Sequence, residues 1–338
     1  MTLRTPRWWY RRGPRAMPIT RALLTPASWI WAWTTARRLA RALPIDPGVP
    51  VICVGNLTLG GAGKTPVVRA VAALLRAEGR EVHILSRGHG GREAGPLRVD
   101  AARHTAVDVG DEALMMAADG PVWVARDRAA GALAAAAAGA EVIVMDDGHQ
   151  NPAVAKALSL IVVDGETRDD EWPFGDGAVF PAGPMREPLA VGLARADAVL
   201  LLLPADLPAP DPELLALFQD KPVLIARLEP AAPPPPGPQV GFAGIGKPWK
   251  MERALKAAGC DLVDFAPLAD HQPIGEATLR FLAGRAAALG AGLVTSEKDW
   301  ARLAPAWRAQ VTPWPVRARF EDEAGARALI SAARVDQF

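Results

Sequence analysis

From residue 49 onward, short apolar runs of about strand length recur between longer stretches in which Ala, Leu and Arg repeat at helical spacing. The runs predict strands at 49–54, 81–85, 122–125, 141–145, 158–163 and 198–203. Helices are expected to fill most gaps, among them 66–78, 113–118 and 127–138, the last carrying an alanine run of high helical propensity. Strands alternating with helices imply βαβ units, so the chain reads as an α/β fold with a mostly parallel sheet flanked by helices. A further run at 223–228 is followed by EPAAPPPPGP at 229–238, which is incompatible with helix or inner strand and is expected as extended polyproline II of at most about 31 Å. A second α/β pattern restarts at Val240. The organisation expected is an N-terminal arm at 1–45, a core domain at 46–228, a proline-rich linker at 229–239 and a smaller α/β domain at 240–338.

Composition sharpens this picture at the arm. Half of the residues are hydrophobic and 22% are charged, which excludes a disordered or fibrous chain, and 338 residues are more than one core usually holds. Cys53 and Cys260 lie too far apart in sequence for a disulfide framework, so a reducing compartment is expected. The formal net charge of +1 divides into +9 over residues 1–45, which hold nine Arg and no Asp, Glu or Lys, and −8 over the rest. The same arm carries Trp8, Trp9, Trp29, Trp31 and Trp33, five of the eleven tryptophans. Indole favours the lipid headgroup boundary and guanidinium is drawn to anionic lipid. The longest uncharged stretch, 22–36, is shorter than the roughly 20 residues a spanning helix needs and contains Pro26. It also lacks the compact apolar region and cleavage site of a signal peptide. A helical arm on a membrane surface is therefore expected. A Trp-rich helix packed on the protein's own body is the other reading, and no nucleic-acid partner is expected.

The strongest chemical signal is VICVGNLTLGGAGKT at 51–65. A strand, a glycine-rich turn and a helix beginning at Lys-Thr are the context of a phosphate-binding loop. Glycines let backbone N–H groups approach a polyphosphate, and the helix N-terminus adds a favourable dipole. Thr58, Leu59, Gly60, Gly61, Ala62, Gly63, Lys64 and Thr65 are thus the candidate nucleotide-binding residues. Lys64 is expected at the β and γ phosphates and the Thr65 hydroxyl at Mg²⁺. One departure stands out: the general pattern has Gly five residues before Gly63, where this chain has Thr58. The second half of the site is EVIVMDDG at 141–148, an apolar strand emerging into Asp146 and Asp147. Adjacent side chains on an extended chain point opposite ways, so one of the two carboxylates is expected to reach the metal directly. Together the motifs imply a nucleoside triphosphate with Mg²⁺ and leave the phosphate acceptor open.

Further segments narrow the acceptor: SRGHGG at 86–91, VGDE at 109–112, DDGHQN at 146–151, FPAGPMREP at 180–188, GIGKP at 244–248, ADHQP at 269–273 and TSEKD at 295–299. With the phosphate loop, in which Thr58 also fits, they resemble the tetraacyldisaccharide 4′-kinase family over nearly the whole chain. The resemblance implies a P-loop NTPase-like fold and transfer of the γ-phosphate of ATP to the 4′-hydroxyl of a lipid A precursor disaccharide 1-phosphate. It further implies work at the cytoplasmic face of the inner membrane, with lipid explaining the arm, and a monomer is expected. By the same resemblance Asp111 and His271 correspond to a catalytic Asp and His pair, Lys64 and Arg186 meet phosphate charge, and Arg186, Glu187, Asn56 and Arg87 contact substrate. Read without it, Arg186 and Glu187 fit a loop-bracing ion pair equally, and Glu297 and Asp299 fit first-turn carboxylates of a helix. The chain departs from the family at His89, His149 and Asn151, and no catalytic role is carried over to the latter two. A nucleotide-driven switch ATPase and a soluble small-molecule kinase are the competing classes. The first usually carries a Lys near the start of the loop, where this chain has Thr58-Leu59-Gly60; the second leaves the arm unexplained.

Overall fold

The computed structural model describes residues 6–168, 171–270 and 274–333. Its larger sheet opens with β1 (Val51–Gly55), β2 (Val82–Ser86), β3 (Leu97–Arg98), β4 (Val122–Val124), β5 (Val142–Asp146), β6 (Leu158–Asp164), β7 (Ala198–Pro204) and β8 (Val223–Pro230). A smaller sheet follows, built from β9 (Gln239–Ala243), β10 (Leu262–Pro267), β11 (Gly292–Ser296) and β12 (Val311–Trp314), before the chain returns to the larger one as β13 (Val316–Phe320). The strand orders are β13-β8-β7-β6-β1-β5-β2-β4-β3 and β10-β9-β11-β12. All pairings are parallel except at the two edges of the larger sheet, where β3 and β13 run antiparallel to their neighbours. The architecture is the expected α/β one, with a mostly parallel sheet and a second, smaller sheet.

Two helices position the site: α1 (Pro18–Arg41) in the arm and α2 (Lys64–Ala77) directly after the phosphate loop. The apolar runs become strands because both faces of the large sheet are covered. β1 lies between β5 and β6 with all five residues buried. Its alternate residues serve opposite faces. Ile52 and Val54 join the cluster containing Val68, Val71 and Leu75 of α2, while Val51 and Cys53 join Ile143, Met145 and Ala135.

The C-terminal segment departs from the division expected at 229–239. Glu229 and Pro230 continue β8 and pair with β13 alone, since pairing to β7 stops at Leu228. On that one-sided stretch a proline is tolerated. β13 and the helix Glu323–Ser331 then pack with α2, placing Ala318, Phe320, Ala326 and Ile330 in the large sheet's core. The smaller sheet is therefore an insertion spanning 239–314, and the final segment belongs with the larger one. The reason is an otherwise bare edge of β8, which β13 covers.

Helix α1 is amphipathic in the reverse of the usual sense. Arg21, Ser28 and Thr35, seven residues apart and so on one face, are buried. Ile19, Leu23, Ile30 and Trp33 lie opposite, 60–78% exposed. Hydrogen bonds hold the inner face: Arg21 donates to Asp176 and to the carbonyls of Trp8, Trp9 and Arg11. Ser28 donates to Val179 O and accepts from Ala182 N. The reading of a helix packed on the body thus describes this inner face and leaves the apolar one bare. Among the described residues no helix is long and apolar enough to cross a membrane.

Candidate active site

The site begins where β1 ends. A Cβ at Gly55 would lie 2.6 Å from His149 Cβ, so only glycine passes there. Residues 56–63 then turn into α2, with Gly63 at φ 75°. That left-handed conformation suits glycine, and a Cβ on it would also meet Leu202 Cδ2 at 2.4 Å. The first part of the loop is paired with residues 184–186. Leu59 N donates to Pro184 O at 2.7 Å, Arg186 N donates to Leu57 O at 2.8 Å, and Thr58 and Met185 form an antiparallel bridge. Thr58 can therefore replace a glycine because its position is a pairing one, where a Cβ is no handicap.

Charges converge at the loop. Lys64 Nζ lies 3.3 Å from Asn56 Oδ1 and 3.5 Å from Asp147 Oδ1. Arg186 grips both oxygens of Asp147 through Nη1 at 2.8 Å and Nη2 at 3.1 Å, and its Nε donates to Thr58 O at 3.0 Å. Burial alone would raise the Asp147 pKa, but Lys64 and Arg186 outweigh it and hold the carboxylate well below the usual range. Asp147 also has φ 51°, a conformation that Asp tolerates better than most residues. Asp146 is fully buried and accepts from Ser86 Oγ at 3.2 Å. Burial first, then Glu112 and Asp147, push its pKa up. The two adjacent carboxylates thus differ, Asp147 held ionised at the loop and Asp146 buried beneath it.

The donor set suits a hard cation. Thr65 stands one residue into α2 and Asp147 faces Lys64, and Mg²⁺ usually takes one or two carboxylates and completes its shell with phosphate oxygens and water. The described residues contain no group of three or more His, Cys, Asp or Glu able to hold a metal.

The smaller sheet supplies the far wall. A Cβ at Gly246 would lie 3.3 Å from Gly61 N, so the 244–248 loop overhangs the phosphate loop. The helix Glu297–Arg302 reaches the helix Asp111–Met116 through ion pairs. Arg302 Nε and Nη2 hold Asp111 Oδ2 at 2.7 and 2.5 Å, and Arg302 Nη1 is held by Asp299 Oδ1 at 3.1 Å. Lys298 Nζ lies 3.2 Å from Glu112 and 3.7 Å from Asp270, bridging the neighbours of Asp111 and His271. Burial opposes the Lys298 charge, but Glu112, Asp111 and Asp270 outweigh it and raise its pKa. His271 lies outside the described residues.

Other expected contacts take different forms. Glu187 is only 1% exposed, and its carboxylate accepts from Arg195 at 2.7 Å and from Gln150 at 3.0 Å. Both its oxygens are thus engaged inside the protein, in the manner of the bracing alternative. Asn56 is fully buried and ties Lys64 to Thr58 O, so it shapes the loop from below. Arg87 is exposed. Asp299 is fully buried, accepting from Gly244 N and Ser296 Oγ, while Glu297 pairs with Arg69 at 2.9 Å. His149 bonds Ser159 Oγ and Gly192 O inside the core. Two contacts carry no signal in the sequence: Gln150 holds Arg186, Glu187 and Asn56 O together, and Arg302 reaches Asp111 across 191 residues, where no local motif marks a partner.

The family model for tetraacyldisaccharide-1-P 4′-kinase matches residues 20–334. The chain is similar to the tetraacyldisaccharide 4′-kinase of Phenylobacterium zucineum strain HLK1, at 70% identity over 330 residues, covering 98% of this chain and 99% of that one. It is 67% identical over 330 residues to that of Caulobacter vibrioides strain NA1000 / CB15N, covering 98% of each. Among solved structures, the "apo" form of LpxK from Aquifex aeolicus in complex with ATP superposes with a TM-score of 0.70 at 25% identity, covering 93% of this chain and 99% of that one.

Proposed function

The chain belongs to the tetraacyldisaccharide-1-P 4′-kinase family, and from that premise we propose how its own residues carry the reaction. The enzyme phosphorylates the 4′-position of a lipid A precursor, tetraacyldisaccharide 1-phosphate, with ATP as donor. The convergence of Lys64, Asp147 and Arg186 on one loop carries the assignment of roles. Lys64 and the backbone amides of residues 60–65 hold the triphosphate, the Leu59 amide being committed to Pro184 O. Thr65 and Asp147, with Asp146 beneath them, would hold Mg²⁺, which when bound neutralises charge on the β and γ phosphates. Arg186 neutralises the charge of the transferring phosphoryl group.

On the acceptor side, Asp111 with His271 activates the 4′-hydroxyl. Its oxygen bonds to the γ-phosphorus as the bond to the bridging oxygen of ADP breaks, and its proton passes to this pair. The ion pair with Arg302 fixes the Asp111 carboxylate in direction. Closure of the smaller sheet's lobe over the phosphate loop, supported by the approach of Gly246 to Gly61, excludes water that would otherwise hydrolyse ATP.

The outer face of α1 lies on lipid at the cytoplasmic face of the inner membrane, where Ile19, Leu23, Ile30 and Trp33 enter the headgroup boundary. Arg37 and Arg41 continue that face as partners for anionic headgroups. Single-turnover transfer by Asp111→Asn tests the acceptor-side assignment: a fall of about 10²–10⁴-fold, with ATP affinity within about threefold, is expected for a group acting on the acceptor proton. An unchanged rate would remove Asp111 from the chemistry.

A further inference from the structure

We propose that the N-terminal arm is a wall of the phosphate site as well as its lipid-facing surface, with Tyr10 positioning the phosphate loop and Trp31 positioning the Arg186 segment. This rests on the reading of Lys64, Asp147 and Arg186 as the phosphate-handling groups. The residues that form the small pairing at the site, 57–59 and 184–186, each receive a hydrogen bond from the arm. The Tyr10 hydroxyl donates to Leu59 O, and Trp31 Nε1 donates to Arg186 O at 3.0 Å.

Both donors are themselves anchored. Tyr10 O accepts from Trp172 N at 2.7 Å, and Lys247 Nζ of the smaller lobe lies 5.3 Å from the Tyr10 ring centroid. Burial pushes the Tyr10 phenol up to about 12, so it remains a protonated donor through the neutral range. Trp31 packs edge-on against Phe180 at 4.8 Å, and Ser28, one turn earlier on α1, ties Val179 and Ala182 of the same segment.

The consequence follows from peptide planarity. Fixing Leu59 O fixes the plane of the Leu59-Gly60 peptide and so the direction of the Gly60 N–H, one of the loop amides available to a phosphate. Gly60 sits at φ 98°, where a residue without Cβ offers little resistance of its own to rotation of that plane. The Trp31 bond similarly fixes the backbone that carries Arg186, whose side chain spans Thr58 and Asp147. Docking of the arm is thereby coupled to the geometry of phosphate binding.

The test compares Tyr10→Phe and Trp31→Phe with wild type in mixed micelles, alongside vesicle flotation and thermal melting. Each change removes one donor and keeps an aromatic ring. Tyr10→Phe should raise KM for ATP about 3- to 10-fold, the size of one hydrogen bond, and Trp31→Phe should lower kcat by a similar factor with KM for ATP near wild type. Flotation should be unchanged in both. Wild-type kinetics in both variants, whether or not the melting temperature falls, would make the arm an anchor only and overturn the proposal. Failure of the underlying site reading would show separately, as undiminished transfer by Lys64→Ala.

Discussion

Helices α1 and α2 bury opposite halves of themselves. α2 turns Val67, Val68, Val71, Ala72, Leu74 and Leu75 into the core, whereas α1 turns Arg21, Ser28 and Thr35 inward and leaves Ile19, Leu23, Ile30 and Trp33 outside. The first is held by apolar area, the second by hydrogen bonds to the loop that carries Arg186. An apolar stripe left bare on a folded protein marks a surface that meets something else, and the proposed partner for a kinase of an acylated sugar is lipid. The contrast teaches that an arm can dock on its own body through polar contacts and leave its apolar face bare.

The sharpest way to break the comparison is to truncate a leucine on each helix. Leu75→Ala in α2 should cost about 2–5 kcal/mol of stability in urea unfolding, because it opens a cavity against the large sheet. The paired change Leu23→Ala with Ile30→Ala in α1 should stay within about 0.5 kcal/mol of wild type, both residues being exposed. It should nevertheless weaken flotation on anionic vesicles. Equal destabilisation by the two changes would mean that the outer face of α1 is covered by protein.

A smaller effect concerns a polar group inside the core. His83 is buried, bonded to Trp123 Nε1 at 3.2 Å, and burial lowers its pKa from the ordinary 6.5. Below about pH 6.5 the unfolded chain takes up a proton that the folded ring resists, so the stability due to the neutral ring is full above that pH and is lost as pH falls toward the folded value. His83→Gln should flatten the dependence of Tm on pH between about 7 and 5. An identical slope in the variant would locate the acid sensitivity elsewhere.

The strands were legible because continuous apolar runs bounded by turns leave little choice, and the phosphate loop because its chemistry is local. Asp147 and Arg186 stood out in the sequence as candidates, although the fork between them depends on two loops meeting. The return of β13 to β8 and the reach of Arg302 to Asp111 were not, since pairings across 86 and 191 residues leave no periodic mark. The arm was half legible: a helix packed on the body was one of the readings its Arg and Trp content allowed, but composition does not distinguish which face of α1 is buried. Only the spacing of Arg21, Ser28 and Thr35 against Ile19, Leu23 and Ile30 carries that information.

The most direct test is transfer of label from γ-radiolabelled Mg-ATP to tetraacyldisaccharide 1-phosphate in mixed micelles by wild type and by Lys64→Ala. The account predicts labelled lipid from wild type and a rate lower by about 10²–10³-fold in the variant, the usual cost of removing one preorganised charge-stabilising group. Labelled lipid formed at the wild-type rate by Lys64→Ala would contradict it.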